Sequence, residues 1–170
     1  MVWVCVLAAP AAWAATPRDR FDEAVRLIKQ RQRDQAFMLL RALVADRPDH
    51  PVTQEARFIL GEYYAETRNR TDALRMFTAY LERPADPWWE VIATAHLIQL
   101  TPRQAGETGP LPRETALKER LASKQLFLGF RESRTHTVQT PLGHTYRFRE
   151  FVDHLEIERD GVAWYSLSLQ

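Results

Sequence analysis

Two stretches of the chain carry the same spacing of small and apolar residues, displaced from each other by 37 positions. The matched pairs are Ala24 with Gly61, Ala36 with Ala73, and Leu40 with Phe77. A fixed offset across three positions is typical of an internal repeat, in which each unit buries its apolar face against the next unit. The offset therefore predicts a repetitive array over this part of the chain.

Apolar residues recur at steps of three and four within each copy, which predicts amphipathic helices. The first copy has a polar break over 31–34, where Asp34 is expected to cap the second helix, and that helix is expected to end at Pro48. The second copy has a polar turn over 67–70, followed by Thr71 as the expected cap. Each copy is thus predicted to be a helical hairpin.

A third unit is predicted to begin at Trp88 with a helix over 88–100, and its partner helix is displaced to 113–124. After this point the apolar period changes from helical to alternating, and Asp160-Gly161 is a strong signal for a hairpin turn. We expect an antiparallel meander over 126–169. The predicted fold class is mainly α, with a hairpin array of about three pairs followed by a small β-meander.

The first fifteen residues form a separate segment. An apolar run from Val2 to Ala12 is followed by Ala12-Trp13-Ala14, which is typical of a secretory signal cleaved after Ala14. No Lys or Arg precedes the run, so a non-exported apolar N-terminus is the alternative. We expect three regions, namely a signal-like segment over 1–15, a helical repeat domain over 16–124 and a β module over 125–170, in a periplasmic or secreted protein without stable membrane insertion.

The second copy resembles the tetratricopeptide repeat (TPR). The resemblance is carried by residues whose expected role is repeat packing, namely Ala36, Leu60, Gly61, Tyr64, Ala73 and Phe77. It implies that small residues lie where two helices cross closely and that aromatic residues fill the gaps between helices. The copy is especially similar to repeats in periplasmic TPR proteins of the bacterial cell envelope, such as those of the Tol-Pal system and the outer-membrane assembly machinery.

The resemblance also implies a function, because the first helix of each TPR repeat lines a concave groove that holds a partner peptide. Mapped onto this chain, the expected groove residues are Lys29, Glu55, Phe58, Glu62, Glu66, Trp89, His96 and Gln99, with Phe21 and Val25 on the first copy. Phe58 and Trp89 would be apolar anchors, and the three carboxylates would favour a partner with a basic stretch. The alternative for the carboxylates is a solvated helix face.

A second interpretation makes the β module the working part, binding a glycan or a metal while the helices support it. It depends on Trp164, Tyr165 and the three histidines His136, His144 and His154. No Cys or Glu-Xaa-Xaa-His motif accompanies these histidines, so we expect surface histidines and no metal site. A third interpretation makes the sheet a dimerisation edge.

The alternation of polar and apolar residues within the predicted sheet separates a solvent-exposed (wet) face from a buried one. On the wet face, Arg147 and Arg149 are expected opposite Glu156 and His154. The expected buried face consists of Tyr146, Phe148, Leu155, Ile157 and Trp164, packed on the last helix.

Neither catalysis nor nucleic-acid binding is indicated. The chain has no Gly-Xaa-Ser-Xaa-Gly elbow, no phosphate-binding Gly-rich loop and no His-Glu-Xaa-Xaa-His motif. The 23 Lys and Arg are balanced by 22 Asp and Glu, which argues against a nucleic-acid surface. We therefore expect an exported scaffold with no enzymatic activity and no cofactor, whose partner is another protein or peptide.

Overall fold

The computed structural model describes residues 15–101, 135–151 and 153–168, together with the helical positions 112, 114–116 and 119. The helices are α1 (Pro17–Lys29), α2 (Arg33–Asp46), α3 (Pro51–Glu66), α4 (Arg70–Leu81) and α5 (Pro87–Leu100). The strands are β1 (Thr135–Gln139), β2 (Thr145–Glu150), β3 (His154–Arg159) and β4 (Val162–Ser168). Each helix packs on the next along the chain, and the strands form one antiparallel sheet in the order β1-β2-β3-β4. The predicted fold class, a helical array followed by a small meander, is confirmed.

Some predictions fall on positions outside this description. The signal-like segment up to position 14 lies outside the described residues, as do 126–134 of the predicted meander and most of the predicted helix over 113–124. Among the helices that are described, none combines the length and the apolar character that crossing a membrane requires.

The 37-residue offset is present in the backbone as well as in the side chains. Helices α1 and α3 both end with an arginine in the left-handed region, Arg31 at φ 62° and Arg68 at φ 59°. Two residues after each helix end, the N–H of Gln32 donates to the Leu27 carbonyl at 2.9 Å and that of Asn69 to the Tyr64 carbonyl at 2.8 Å. These bonds define the Schellman type of helix end, and they place α2 and α4 in equivalent positions.

The predicted caps of α2 and α4 are wrong by two residues. The N-cap residues are Gln32 and Asn69, so Asp34 and Thr71 lie inside the first turn of their helices. The side chain of Asn69 accepts a hydrogen bond from the Asp72 N–H. The reason is that the Schellman end reverses the chain within two residues, so the next helix begins immediately.

Gly61 lies where α3 and α4 cross closely. A Cβ atom at Gly61 would lie 2.7 Å from the ring of Phe77, which is fully buried. Ala36 and Ala73 have no exposed surface, and Leu60 and Tyr64 are buried as well. These residues pack the helical hairpins as the spacing predicted.

The sheet has the predicted turn and most of the predicted buried face, although Trp164 is only half-buried. Asp160 and Gly161 both have positive φ, which is required for the tight hairpin between β3 and β4. The side chains with no exposed surface are Tyr146, Phe148, Leu155 and Ile157, and they join the core of the helices.

The predicted register between β2 and β3 is wrong by two residues. Arg147 is paired with Glu158, and Arg149 with Glu156, whereas His154 was expected opposite one of these arginines. The N–H of Phe151 donates to the His154 carbonyl at 2.9 Å, and this bond closes a tight turn that sets the register. The buried face is unchanged because a shift of two residues keeps every side chain on its own side.

Candidate functional site

The sheet lies on the side of α3 and α5 that was predicted to form an open groove. The ring of Trp88 stacks on His136 with centroids 3.9 Å apart, and the rings of His96 and Trp164 lie 4.6 Å apart. The Gln99 side chain donates a hydrogen bond of 2.7 Å to the Trp164 carbonyl. Most of the predicted groove is therefore filled by the chain's own β module.

Four of the predicted groove residues are buried. Phe58 and Glu62 have no exposed surface, and Phe21 and His96 are each 3% exposed, so the expectation that they face a partner is wrong. Phe58 packs among Tyr80 and Trp89, with ring centroids 5.4 and 4.5 Å away. Only Trp89 of the two expected anchors is partly exposed.

A carboxyl, a phenol and an imidazole form a buried chain at the interface between helices and sheet. The Tyr146 hydroxyl donates to Oε1 of Glu62 at 2.9 Å, and it lies 3.1 Å from Nε2 of His96. The His96 ring also stacks on Phe77 at 4.7 Å. Oε2 of Glu62 has no hydrogen-bond partner among the described residues.

Burial shifts the pKa values of the carboxyl and the imidazole in opposite directions. Burial raises the pKa of Glu62 to about 7, although the nearby charge of His144 and the bond from Tyr146 act to lower it. Burial also lowers the pKa of His96 to about 3, so its imidazole is neutral at neutral pH. Perturbed groups of this kind often mark active sites, but Glu62 and His96 are enclosed by the core rather than exposed to a cleft.

A second polar cluster surrounds Glu66 at the edge of the same interface. Its carboxylate pairs with His144, with Arg33 at 3.2 Å and with Arg159 at 3.3 Å. His144 also contacts Asp160 through Nδ1 at 2.8 Å. Burial alone would raise the pKa of Glu66, but these cationic partners lower it overall. The cluster fixes the β3–β4 turn against the end of α3.

The remaining predicted carboxylate of the groove is also paired within the chain. Glu55 lies 3.0 Å from the guanidinium of Arg18. Since Glu62 and Glu66 are bound by the sheet, no carboxylate of this set is left to attract a basic stretch. The charge argument for a basic partner therefore loses its support.

One part of the groove stays open, between α1, α5 and the turn that joins β1 to β2. It is a cleft of about 350 Å³, lined by Val25, Lys29, Trp89, Gln139, Thr140, Pro141 and Gly143. Three of these residues, Val25, Lys29 and Trp89, were placed in the groove on sequence grounds. The turn residues complete the cleft from the sheet side.

The polar side chains that line this cleft include Lys29 on α1 and Thr140 in the β1–β2 turn. The side chain of Lys29 is exposed, and it forms no ion pair with any residue that the structure describes. Thr140 is 3% exposed, and its buried hydroxyl lies beside the carboxyl of Glu62, whose pKa it helps to lower.

The three histidines of the sheet lie apart from one another. His136 stacks on Trp88, His144 contacts Glu66 and Asp160, and His154 contacts Asp153. Within residues 15–101, 135–151 and 153–168, no group of three or more His, Cys, Asp or Glu side chains is arranged to hold a metal ion. His144 is more enclosed than expected, with 15% of its side chain exposed.

Sequence reasoning missed the partners that the sheet provides to the helices. Tyr146 was assigned to the buried face without a partner for its hydroxyl, and Arg159 and Thr140 were not considered. A buried tyrosine hydroxyl requires a hydrogen-bond partner, so Tyr146 was itself a signal that a polar group lies beneath the sheet. Which group this is depends on a contact across 84 positions, which no local pattern indicates.

Comparisons with family models, with curated proteins and with solved structures give no match to this chain.

Proposed function

We propose that this chain is an exported TPR-like scaffold that binds a peptide segment of another protein in the cleft between α1, α5 and the β1–β2 turn. The observation that carries the proposal is the position of the cleft, on the inner helices of a repeated helical array. In such arrays the concave surface is the usual place of binding.

The shape and lining of the cleft support a peptide ligand. Its volume lies at the lower end of the range for ligand clefts, which suits a few residues of an extended chain. Trp89 is stacked on Phe58 at an interplanar angle of 16°, so it offers a rigid aromatic wall. Aromatic residues held in this way are common anchors of protein interfaces.

The buried groups support a scaffold rather than an enzyme. Glu62, Tyr146 and His96 bond to one another inside the core, where a substrate has no access to them. Their role in this proposal is to hold the sheet across α3 and α5, which builds one wall of the cleft. The proposal thus gives the β module a supporting function.

Selection from a random heptapeptide display library tests this proposal. The full chain is used as bait, and Val25→Gln is compared with Val44→Gln, because both valines are partly buried and each lines a different cleft. We expect Val25→Gln to abolish capture of the selected peptides and Val44→Gln to retain it. Equal capture by both variants would contradict the assignment of the cleft, and circular dichroism confirms that both are folded.

Export is the second part of the proposal. The apolar run and the Ala12-Trp13-Ala14 sequence support cleavage after Ala14. Mass spectrometry of the protein produced in a Gram-negative bacterium measures the mature N-terminus. We expect a periplasmic species that begins at Ala15, and an intact cytoplasmic chain would contradict export.

A further inference from the structure

We propose that the partner peptide binds as an extended strand along the free edge of β1, antiparallel to it, with one apolar side chain in the cleft. This inference rests on the proposed function, since it concerns the same ligand and adds how that ligand is held. The occupant is a segment of another protein, which extends the four-stranded sheet by a fifth strand.

The outer edge of β1 carries backbone groups that no described strand uses. β1 pairs with β2 only, because the strand order is β1-β2-β3-β4. The Thr140 N–H donates to the His144 carbonyl at 2.9 Å, so the alternation of an antiparallel ladder directs the backbone groups of Val138 to β2. The N–H and C=O groups of Thr137 and Gln139 therefore point away from β2, and nothing within the described ranges bonds to them.

β1 also lacks the features that normally protect the edge of a sheet. Its sequence, Thr-His-Thr-Val-Gln, contains no Lys, Arg, Asp, Glu or Pro, and four of its five residues are exposed. The opposite edge differs, because a register shift interrupts the pairing of β3 with β4 and the Gln99 side chain occupies the Trp164 carbonyl. An unprotected edge is a template for pairing with another chain. β1 is thus the edge at which a fifth strand can be added.

The free edge is continuous with the cleft. Gln139 is the last residue of β1 and also lines the cleft, whose helical wall includes Val25 and Trp89. Successive side chains of an extended strand point to opposite faces, so every second side chain of the added strand faces the helices. The one beside Gln139 enters the cleft. In strand addition the main-chain bonds supply affinity and such a pocket supplies selectivity, here for an apolar side chain.

The edge is ordered before any ligand binds. The ring of His136 stacks on Trp88 of α5 with centroids 3.9 Å apart, and Val138 packs against the core. These contacts hold β1 in its extended form on the helices. Binding to a preformed edge costs less conformational entropy than binding to a segment that must first become ordered.

Methylation of the ligand's backbone tests the added strand. The probe is the tightest-binding heptapeptide recovered by the display selection, synthesised with a methyl group on one backbone nitrogen at a time. Alternate residues of an added strand bond to β1, so weakened binding should recur at every second position. We expect a loss of affinity of about tenfold or more at these positions and below about threefold between them, measured by fluorescence anisotropy with the full chain. A uniform loss, or a loss with another spacing, would contradict the added strand.

Variants of β1 assign the contact to this edge. Thr137→Pro removes an outward N–H and leaves the bonds between β1 and β2 in place. We expect it to abolish peptide binding, whereas Thr137→Ala, which keeps the backbone groups, should bind within about threefold of the wild type. Circular dichroism checks that both variants fold. Hydrogen exchange on the wild type provides a readout without any variant, since the amides of Thr137 and Gln139 should exchange about tenfold more slowly when the peptide is bound.

The outcomes separate this inference from the proposed function and from self-association. If Val25→Gln abolishes binding, but the methylation scan shows no alternation and Thr137→Pro binds normally, the added strand is wrong and the cleft remains the binding site. If no peptide is selected, both are wrong. If sedimentation velocity shows the wild type to be a dimer and Thr137→Pro a monomer, a second copy of the chain occupies the edge, and strand addition by a peptide is wrong.

Discussion

The hydroxyl of Tyr146 donates a hydrogen bond of 2.9 Å to the carboxyl of Glu62, and this bond joins strand β2 to helix α3. Both side chains have no exposed surface. The sheet is thereby attached to the helical array through a buried polar contact as well as through apolar packing. A chain built in this way is expected to unfold as one cooperative unit.

Removing the Tyr146 hydroxyl is expected to destabilise the protein. In Tyr146→Phe, Glu62 loses its hydrogen-bond donor and His96 loses its hydroxyl neighbour, while both remain buried. A buried polar group left without a partner costs about 1–3 kcal/mol, so the free energy of unfolding should fall by that amount. Urea denaturation at pH 7 measures it.

The matched control is Tyr63→Phe. The Tyr63 hydroxyl makes no hydrogen bond to any residue in the described ranges, and its ring stacks on Phe37 at 3.6 Å. We expect this variant to unfold within about 0.5 kcal/mol of the wild type. Equal losses in both variants would show that the bond from Tyr146 to Glu62 contributes nothing specific.

Glu62 and His96 have opposite effects on the pH dependence of stability. The raised pKa of Glu62 gives a stabilisation that is complete below its ordinary value of 4.5 and is lost as the pH rises through about 7. The lowered pKa of His96 gives a contribution that is complete above 6.5 and is lost as the pH falls through about 3. Between about pH 4.5 and 6.5 the first contribution falls with pH while the second rises, so their pH dependences should cancel.

The variant Glu62→Gln should reveal the contribution of His96. With the carboxyl removed, the free energy of unfolding should rise with pH between 4.5 and 6.5, by up to about 1.4 kcal/mol per unit. The measurement is urea unfolding at several pH values, with the exposed Glu82→Gln as the control for lost charge. Parallel pH profiles of Glu62→Gln and the wild type would contradict the cancellation.

The fold was largely predictable because its determinants are local. The 37-residue offset indicated the hairpins, and the Asp160-Gly161 turn indicated the meander. The caps at Asp34 and Thr71 were misplaced because the left-handed arginines that end α1 and α3 give no signal, since glycine is the usual residue there.

Any side chain at Gly61 is expected to disturb the crossing of α3 and α4. In Gly61→Ala the new Cβ would lie 2.7 Å from Phe77, whose ring is held by His96 and Phe58 and cannot move away freely. Overpacking of this kind costs about 1–3 kcal/mol, more than the gain of up to about 1 kcal/mol in helix propensity.

Thermal unfolding checks this prediction with a compensating variant. The melting temperature of Gly61→Ala should fall, and Phe77→Leu in the same chain should recover part of the loss because the smaller side chain leaves room. A melting temperature of Gly61→Ala equal to or above that of the wild type would show that α3 and α4 do not cross closely there.

The left-handed helix ends are sites where glycine should stabilise the protein. Arg68 has φ 59°, a conformation that is unfavourable for a residue with a side chain and favourable for glycine. We expect Arg68→Gly to raise the free energy of unfolding by up to about 1 kcal/mol. Arg31→Gly, 37 positions earlier, should have an effect of the same sign.

A glycine in the interior of a helix provides the contrast. Met38 is exposed within α2, where Met38→Gly should destabilise by about 1 kcal/mol. If Arg68→Gly destabilised to a similar extent in urea denaturation, the assignment of the Schellman end would be wrong.

The site was harder to predict than the fold because its partners are distant in sequence. Phe58 and Glu62 were both expected to face a partner, but Phe58 is covered by Tyr80 and Trp89 of the helices. Glu62 is covered by the sheet, 84 positions further along at Tyr146. The expected attraction of a basic partner failed for the same reason, since the sheet and nearby arginines pair with the carboxylates of Glu55 and Glu66.

The central claim is that the chain fills most of its own groove. Contacts between the sheet and the helices test this claim most directly. Nuclear Overhauser effects measured on the folded chain at neutral pH report them. We predict cross-peaks between the rings of Trp88 and His136, 3.9 Å apart, and between those of His96 and Trp164, 4.6 Å apart. If these cross-peaks are absent while those between Phe58 and Trp89 within the helices are present, the groove is open and the claim is wrong.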